Sequence, residues 1–542
     1  MAEHASASQR APGVSDAPPA GDITGALGTI RLAEASASRG WVAKVLTLLA
    51  VMGPGLIVMV GDNDAGGVST YAQAGQNFGL SLLWTLPLLV PVLVVNQEMV
   101  VRLGAVTGVG HARLISERFG RLWGLFSVVD LFVLNFLTIV TEFIGVSLAL
   151  RYFGVTPYVS VPLAAAALVA MTAGGSFRRW ERFMLVFVLA NFLVVPLAVL
   201  SRPHVVPVLR DLFVPGVEGG LTSTSVLLII AIVGTTVAPW QLFFQQSNIV
   251  DKRIIPRFIN YERTDTVIGS LVTVVAACLL VVTTAFAFHG TPLAGRYTDA
   301  GGVARGLARY LGHGAGALFA VVLLNASIIG AASVTLATSY AFGDISGLSH
   351  SLHRRFGEAK PFYASFSGLV VVAAGIVLIP HAPLGVITTA VQALAGVLLP
   401  SATIFLLLLC NDPAVLGPWV NRPWLNVLSG LIVSVLLGLS LILTATTVFP
   451  GLRLSAIFAV LAAVLVGGAA VSVVAAARLG ARPRPELTRA QREAWRMPPL
   501  ALLEPPRWTR GRRATMYVLR AYLGLAVALL VVKAVQLGLG HR

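Results

Sequence analysis

The chain has 542 residues, of which 56% are hydrophobic and only 11% charged. A soluble domain carries about 25% charged residues, so this chain cannot cover a water-facing surface; an ordinary cytosolic enzyme, a disordered protein and a nucleic-acid binder are excluded. The net charge of +16, from 39 basic and 23 acidic residues, is then loop charge that sets orientation in a bilayer.

Residues 1–40 are rich in Ala, Ser, Gly and Pro and predict a disordered cytoplasmic tail. The first apolar run begins near Val45 and is too long for a cleaved signal peptide. A spanning helix needs about 20 mostly apolar residues. Thirteen segments qualify: 43–76, 80–103, 122–152, 157–174, 181–200, 223–249, 265–289, 313–343, 362–380, 384–410, 424–449, 453–478 and 514–538. They divide into a core of ten helices over 43–410, two further transmembrane helices over 424–478, a basic cytoplasmic linker over 479–513 and an additional C-terminal membrane helix over 514–538. The last contains Arg520 and Lys533 and is placed outside the core. Cys278 and Cys410 lie in apolar runs and make neither a disulfide framework nor a zinc ligand set.

Basic residues alternate with this count. With a cytoplasmic N-terminus, Arg113, Arg118 and Arg121 fall inside, as do Arg178, Arg179 and Arg182, then Lys252, Arg253, Arg257 and Arg263, then Arg354, Arg355 and Lys360. The stretch 478–513 is the most basic and also falls inside. The bias keeps one sign throughout, which fixes the expected orientation in the cell membrane.

Ionisable groups inside bilayer segments cost about 2.5–3.5 kcal/mol on insertion scales and mark function. The first segment holds the densest cluster, Gly61-Asp62-Asn63-Asp64-Ala65-Gly66-Gly67-Val68-Ser69-Thr70. Gly66 and Gly67 favour unwinding, and unwound backbone survives at membrane depth only where it lines a cavity. Carboxylates beside bare carbonyls suit a hard cation. The sixth segment has a matching interruption, Gly234-Thr235-Thr236-Val237-Ala238-Pro239-Trp240-Gln241, followed by Gln245 and Gln246. Pro239 removes a backbone donor, and Gln241 and Gln245 share a helix face. Breaks near 61–68 and 235–240, five helices apart, predict an all-α polytopic membrane protein with two inverted five-helix repeats and a midplane site.

Several motifs resemble the Nramp divalent-metal transporters: Met52-Gly53-Pro54-Gly55 with Met59-Val60-Gly61, then Arg102-Leu103-Gly104-Ala105-Val106-Thr107-Gly108, Thr141-Glu142-Phe143-Ile144-Gly145-Val146 and Leu399-Pro400. The resemblance covers roughly residues 45–410. It implies a LeuT-like fold with the metal held between the first and sixth helices. In the family's register Asp64 is kept, Gly67 replaces an asparagine ligand, Ala238 replaces a methionine ligand and Trp240 replaces a histidine tied to proton movement. Glu142 matches an acidic residue on a candidate proton path, and Ile139 replaces its aspartate partner. Gln392 aligns with a glutamine that approaches the metal.

The missing sulfur removes a preference for manganese, iron and their neighbours. A wider all-oxygen site suits a partly hydrated Mg²⁺. The departures thus resemble the Nramp-related magnesium branch, with weak or absent proton coupling. The expected metal set is Asp64, Gly67, Thr235, Ala238, Gln241, Gln245 and Gln392; Asp62, Asn63, Pro239 and Trp240 shape a cavity or vestibule. The cation is cargo, and no cofactor is expected. Two alternatives stand beside magnesium: a proton-coupled Mn²⁺ or Fe²⁺ importer, and an organic-solute transporter of the same fold, which Asp62 and Asp64 disfavour because they repel carboxylate substrates. No nucleophile–base pair, P-loop or metalloprotease motif is present, so the chain is not read as an enzyme.

Overall fold

In the computed structural model the described residues are 22–31, 40–448, 454–480 and 487–504, without 174, 349, 355 and 381, together with a few positions between 513 and 524. The segment 514–538 therefore lies almost wholly outside the described residues. Among those residues nine helical stretches are long and apolar enough to cross a membrane, and one bent pair, Trp41–Val51 with Pro54–Val60, makes a tenth span if counted as one.

The chain starts with a small hairpin, β1 (Ile23–Gly25) and β2 (Gly28–Ile30). The first span follows in three pieces: α1 (Trp41–Val51), α2 (Pro54–Val60) and α3 (Ala65–Phe78). Next come α4 (Leu89–Thr107), the short α5 (His111–Phe119) and the long α6 (Arg121–Tyr152). Then α7 (Pro157–Ala173), shorter than a full span, and α8 (Phe177–Ala190) with α9 (Val194–Leu200), which form one span, bring the apolar segments to five, and α10 (Val205–Phe213) lies in the connection. The sixth span is α11 (Ser223–Thr236) and α12 (Pro239–Asp251), followed by α13 (Ile259–Phe288). A connecting helix α14 (Ala300–Tyr310) leads to α15 (His313–Ser346), α16 (Lys360–Val377) and α17 (Leu384–Cys410). A short turn of helix, α18 (Pro413–Leu416), precedes α19 (Pro423–Val448), α20 (Leu454–Gly480) and α21 (Arg489–Ala494).

Local chemistry explains where the helices stop. Pro54 and Pro239 occupy first-turn positions, where the missing N–H is not needed. Gly108 and Gly347 close α4 and α15 in the left-handed region, which only glycine enters cheaply. Thr222 opens α11 with a capping box closed by Ser225. Small residues let helices approach. A Cβ on Gly430 would meet the Ser472 hydroxyl at 1.9 Å, and one on Gly468 would meet Ser434 at 1.8 Å, so α19 and α20 interlock through serine and glycine.

Two expectations differ from what is seen. The expected tail over 1–40 contains the ordered hairpin, whose Ile23 is fully buried. Its order comes from docking on α1 and α8 rather than from its own composition. Residues 43–76 were expected as one helix broken once; the chain bends by 53° between α1 and α2 and breaks again at 61–64. The first bend falls at Gly53, whose φ of +145° excludes most other residues.

Candidate metal-transport site

The two breaks face each other in the middle of the bundle. Residues 61–64 connect α2 to α3, and Val237 and Ala238 connect α11 to α12. Each break brings a helix C-terminus and a helix N-terminus together, so carbonyl oxygens and amide hydrogens converge there. A Cβ on Gly67 would lie 3.3 Å from the Thr235 hydroxyl and 3.0 Å from the Asp62 carbonyl oxygen, which measures how closely the breaks approach.

Asp64 is the N-cap of α3. Its Oδ1 accepts the Gly67 N–H at 2.7 Å, and the residue is 3% exposed. Glu142 on α6 supplies the neighbouring cap, its Oε2 accepting the Ala65 N–H at 3.1 Å. A Cβ on Gly330 of α15 would lie 2.6 Å from Glu142 Oε2 and 2.7 Å from the Asp64 Cβ, so α15 presses its bare backbone against both acids. These two caps overturn one expectation. Gly66 and Gly67 were expected to be unwound, yet both are helical, because the acids satisfy the first amides of α3. The Gly66 carbonyl is also taken, by the Thr70 hydroxyl at 2.8 Å. The glycines serve close approach instead. A Cβ on Gly66 would fall 1.7 Å from Gln392 Nε2, so Gln392 of α17 lies directly on the α3 backbone.

On the sixth span, Trp240 is 1% exposed, and its ring edge would come within 3.5 Å of a Cβ on Gly61, so the indole covers the first break. Pro239 starts α12, and Ala238, 6% exposed, is its N-cap with only a methyl to offer. Gln241 accepts the amide of Gln97 on α4 at 3.3 Å.

Several buried polar atoms at the breaks have no hydrogen-bond partner among the described residues: both Asp62 carboxylate oxygens, Asn63 Oδ1, Glu142 Oε1, Thr235 Oγ1, Gln241 Nε2 and Gln392 Nε2. Unpaired polar atoms in a dry interior are costly, so this concentration marks a place prepared for a polar guest. No three His, Cys, Asp or Glu side chains converge as a resident metal centre among the described residues.

One expected member of the metal set turns aside. Gln245 donates to Thr266 on α13 at 2.9 Å, which turns its amide toward that helix. Asn63, expected in a cavity or vestibule, is 1% exposed, and its Nδ2 donates to the Thr273 carbonyl of α13 at 3.1 Å. Asp62, expected there too, is fully buried. Sequence reading missed Gln97, and also Tyr71, whose hydroxyl is 2.7 Å from Thr236 Oγ1. Tyr71 lies seven positions beyond Asp64, two turns along one face of α3, and that spacing was the available signal.

Polar groups farther away make structural pairs. Arg102 donates to Glu98 at 3.1 Å, as their four-residue spacing suggests. Asp130 accepts from Ser401 at 2.8 Å and Asn135 donates to Thr338 at 2.8 Å, both across helices. His111 is fully buried at the start of α5, 2.7 Å from Gln246 Oε1. His350 lies in the loop after α15. Burial opposes its positive charge, but Asp344 at 2.9 Å, the Leu348 carbonyl and the Asp251 charge together outweigh burial and raise the imidazole pKa.

Comparison with known proteins decides the family. The model of the Nramp family, described as natural resistance-associated macrophage protein-like, matches residues 55–446. The chain belongs to the Nramp family. It is a membrane transporter of divalent metal cations, not an enzyme, with the LeuT-like fold. A divalent metal cation transporter MntH from Xanthomonas campestris pv. campestris is 28% identical over 418 residues, covering 73% of this chain and 90% of the relative. The MntH of Bacillus subtilis (strain 168) is 25% identical over 423 residues, covering 74% and 93%. A crystal structure of a manganese transporter from Eremococcus coleocola superposes with a TM-score of 0.61 at 21% identity, covering 82% of this chain and 97% of that one. This last likeness shows the fold.

The contact of Gln392 with Gly66 yields a test. Gly66→Ala is expected to cut metal uptake several-fold, because its methyl collides with the amide. Gly66→Ala combined with Gln392→Ala restores the space but not the lost amide. If Gly66→Ala alone transports normally in proteoliposomes, the close approach is not needed.

Proposed function

We propose that the chain carries divalent cations inward across the cell membrane by alternating access, through an oxygen-only site at the two breaks, with its N-terminus in the cytoplasm. The observation that carries this reading is the set of buried unpartnered oxygens and amides around Asp64 and Thr235. Asp64 supplies formal charge, and Thr235 and the backbone of 61–64 and 236–238 supply neutral oxygens. Gln241 and Gln392 orient the ion's remaining waters. Glu142 holds the α3 amide and stands beside Asp64, where a proton path would pass.

Carboxylate, carbonyl and water donors suit Mg²⁺, Ca²⁺ and Mn²⁺ alike. The likeness to a manganese transporter supports the Mn²⁺ or Fe²⁺ reading. The methyl at Ala238 favours Mg²⁺ as a competing cargo, since nothing soft at that position rejects a hard ion. Both follow from one site that accepts Mn²⁺ and fails to exclude Mg²⁺.

A competition assay in proteoliposomes tests this reading. Millimolar Mg²⁺ is expected to suppress Mn²⁺ uptake, and Ala238→Met is expected to relieve that suppression by about tenfold, the effect of roughly 1.4 kcal/mol of added preference for the softer ion. Suppression that stays the same in Ala238→Met would mean that position 238 does not set selectivity. Mn²⁺ uptake untouched by Mg²⁺ would remove magnesium as cargo. Repeating the assay with and without a proton gradient separates coupled from uncoupled movement.

A further inference from the structure

The hairpin ahead of the first helix is too small to hold itself together. Ile23 pairs with Ile30 and Gly25 with Gly28, and further contacts tie it to the helices beneath. Ile23 is fully buried. The Ala26 N–H donates to Glu181 Oε2 on α8 at 2.5 Å, and Arg182 Nε donates back to the Ala26 carbonyl at 3.2 Å. A Cβ on Gly25 would lie 2.2 Å from the Ala50 carbonyl oxygen and 3.0 Å from the Lys252 side chain. A Cβ on Gly28 would lie 3.1 Å from the Ala50 Cβ. The hairpin backbone therefore rests directly on Ala50 in the last turn of α1 and on the Lys252 side chain.

Beneath it lies a buried ionic lock. Lys252 Nζ is 2.6 Å from Glu181 Oε1, and both side chains are at most 1% exposed. The same ammonium donates to the carbonyls of Val51 at 2.7 Å and Met52 at 2.8 Å. Those two carbonyls sit at the 53° bend between α1 and α2. On the other side of the bend, Asp265 Oδ2 accepts the amides of Gly53 at 3.0 Å, Gly55 at 2.8 Å and Leu56 at 3.2 Å. So α8, α12 and α13 grip the bend, and α2 runs from it straight into the metal-site break. The hairpin is the outermost layer and shares Glu181 with Lys252.

We propose that residues 22–31 are an inhibitory clasp on this bend: while the hairpin is seated, the Glu181–Lys252 lock stays dry and α2 stays home, and release of the ion toward the N-terminal face requires the hairpin to lift. The proposal rests on the transport reading only for what the gate releases; the mechanical claim concerns the bend itself. Water reaching the lock screens the ion pair and supplies substitute donors to the Val51 and Met52 carbonyls, so lifting the hairpin weakens the grip at its source.

Two substitutions unseat the hairpin by different routes. Ala26 is the first of two loop residues and has a negative φ, so Ala26→Pro suits the turn while deleting the N–H that Glu181 receives. Ile23→Ser removes the apolar anchor and leaves the lock intact. Hydrogen–deuterium exchange of the full-length protein, without metal, reads the bend directly. Both variants are expected to speed exchange in the peptide spanning 48–56 by tenfold or more, with peptides from α6 and α15 unchanged as evidence of an intact fold. Both are also expected to raise the initial rate of Mn²⁺ uptake at least twofold. Loss of protection in 22–31 with 48–56 unaffected in both variants overturns the clasp. Faster exchange at 48–56 accompanied by slower uptake also overturns it, because the hairpin is then a scaffold rather than a brake. If the unsubstituted protein moves no metal, the transport reading fails by itself and the exchange result still decides the clasp.

Discussion

Asp64→Ala is expected to reduce metal uptake in proteoliposomes by about a hundredfold or more, since a unit charge 4 Å from an ion contributes roughly 4 kcal/mol at an effective dielectric near 20. Asp64 has two jobs that separate substitutions tell apart. Its charge faces the site, and its Oδ1 caps α3 through Gly67 at 2.7 Å. Asp64→Asn keeps a carbonyl oxygen for the cap and loses the charge. Asp64→Ala loses both, and the lost cap costs about 1 kcal/mol of stability. Both variants should therefore lose transport, and only the alanine variant should melt earlier in detergent. Asp64→Asn that transports at the unsubstituted rate would show that the carboxylate is present for the helix and not for the ion.

The largest stability effect is expected at Lys252. Replacing it by Met leaves Glu181 buried without its counter-charge, and strips the Val51 and Met52 carbonyls of their donor. Breaking a buried pair on one side costs about 3–5 kcal/mol, whereas replacing both partners by well-packed apolar residues is far milder. Unfolding titrations should accordingly place Lys252→Met well below the unsubstituted protein, with Lys252→Met/Glu181→Leu recovering a large part of the loss. Equal losses in the single and double variants would mean that packing around the bend, not the unpaired charge, sets the cost.

Helix positions were legible in the sequence because lipid demands long apolar runs. The segment 384–410 coincides with α17, and 157–174, 313–343 and 424–449 fall within a few residues of observed helices. The two breaks were legible from Asp64 and Pro239. What was not legible depends on contacts distant in sequence. Glu142 lies 77 positions from Ala65, yet it caps α3 and keeps Gly66 and Gly67 helical; glycine propensity alone pointed the other way. Gln245 shares a helix face with Gln241, and only the position of Thr266 on α13 shows that its amide turns aside. The hairpin at 22–31 was invisible because its composition is that of a tail, and its order is supplied by Glu181 and Arg182.

The contact between α11 and α17 bears on how the site changes size. A Cβ on Gly234 would lie 2.3 Å from the Gln392 carbonyl and 2.3 Å from the Gly396 amide, and one on Gly396 would lie 3.0 Å from the Ile230 carbonyl. Backbone touches backbone, so α11 and α17 meet with no side chain between them beside Thr235 and Gln392. Beyond the break at 237–238, α12 is fastened to different neighbours: Gln241 to Gln97, and Gln246 to the Val109 carbonyl at 2.7 Å. If the proposed ion site opens by parting these two groups, Thr235 and Gln392 form one jaw and Gln241 the other. The gap from Thr235 to Gln241 becomes the distance that reports its opening, and a spin-label pair on α11 and α12 would read it during transport.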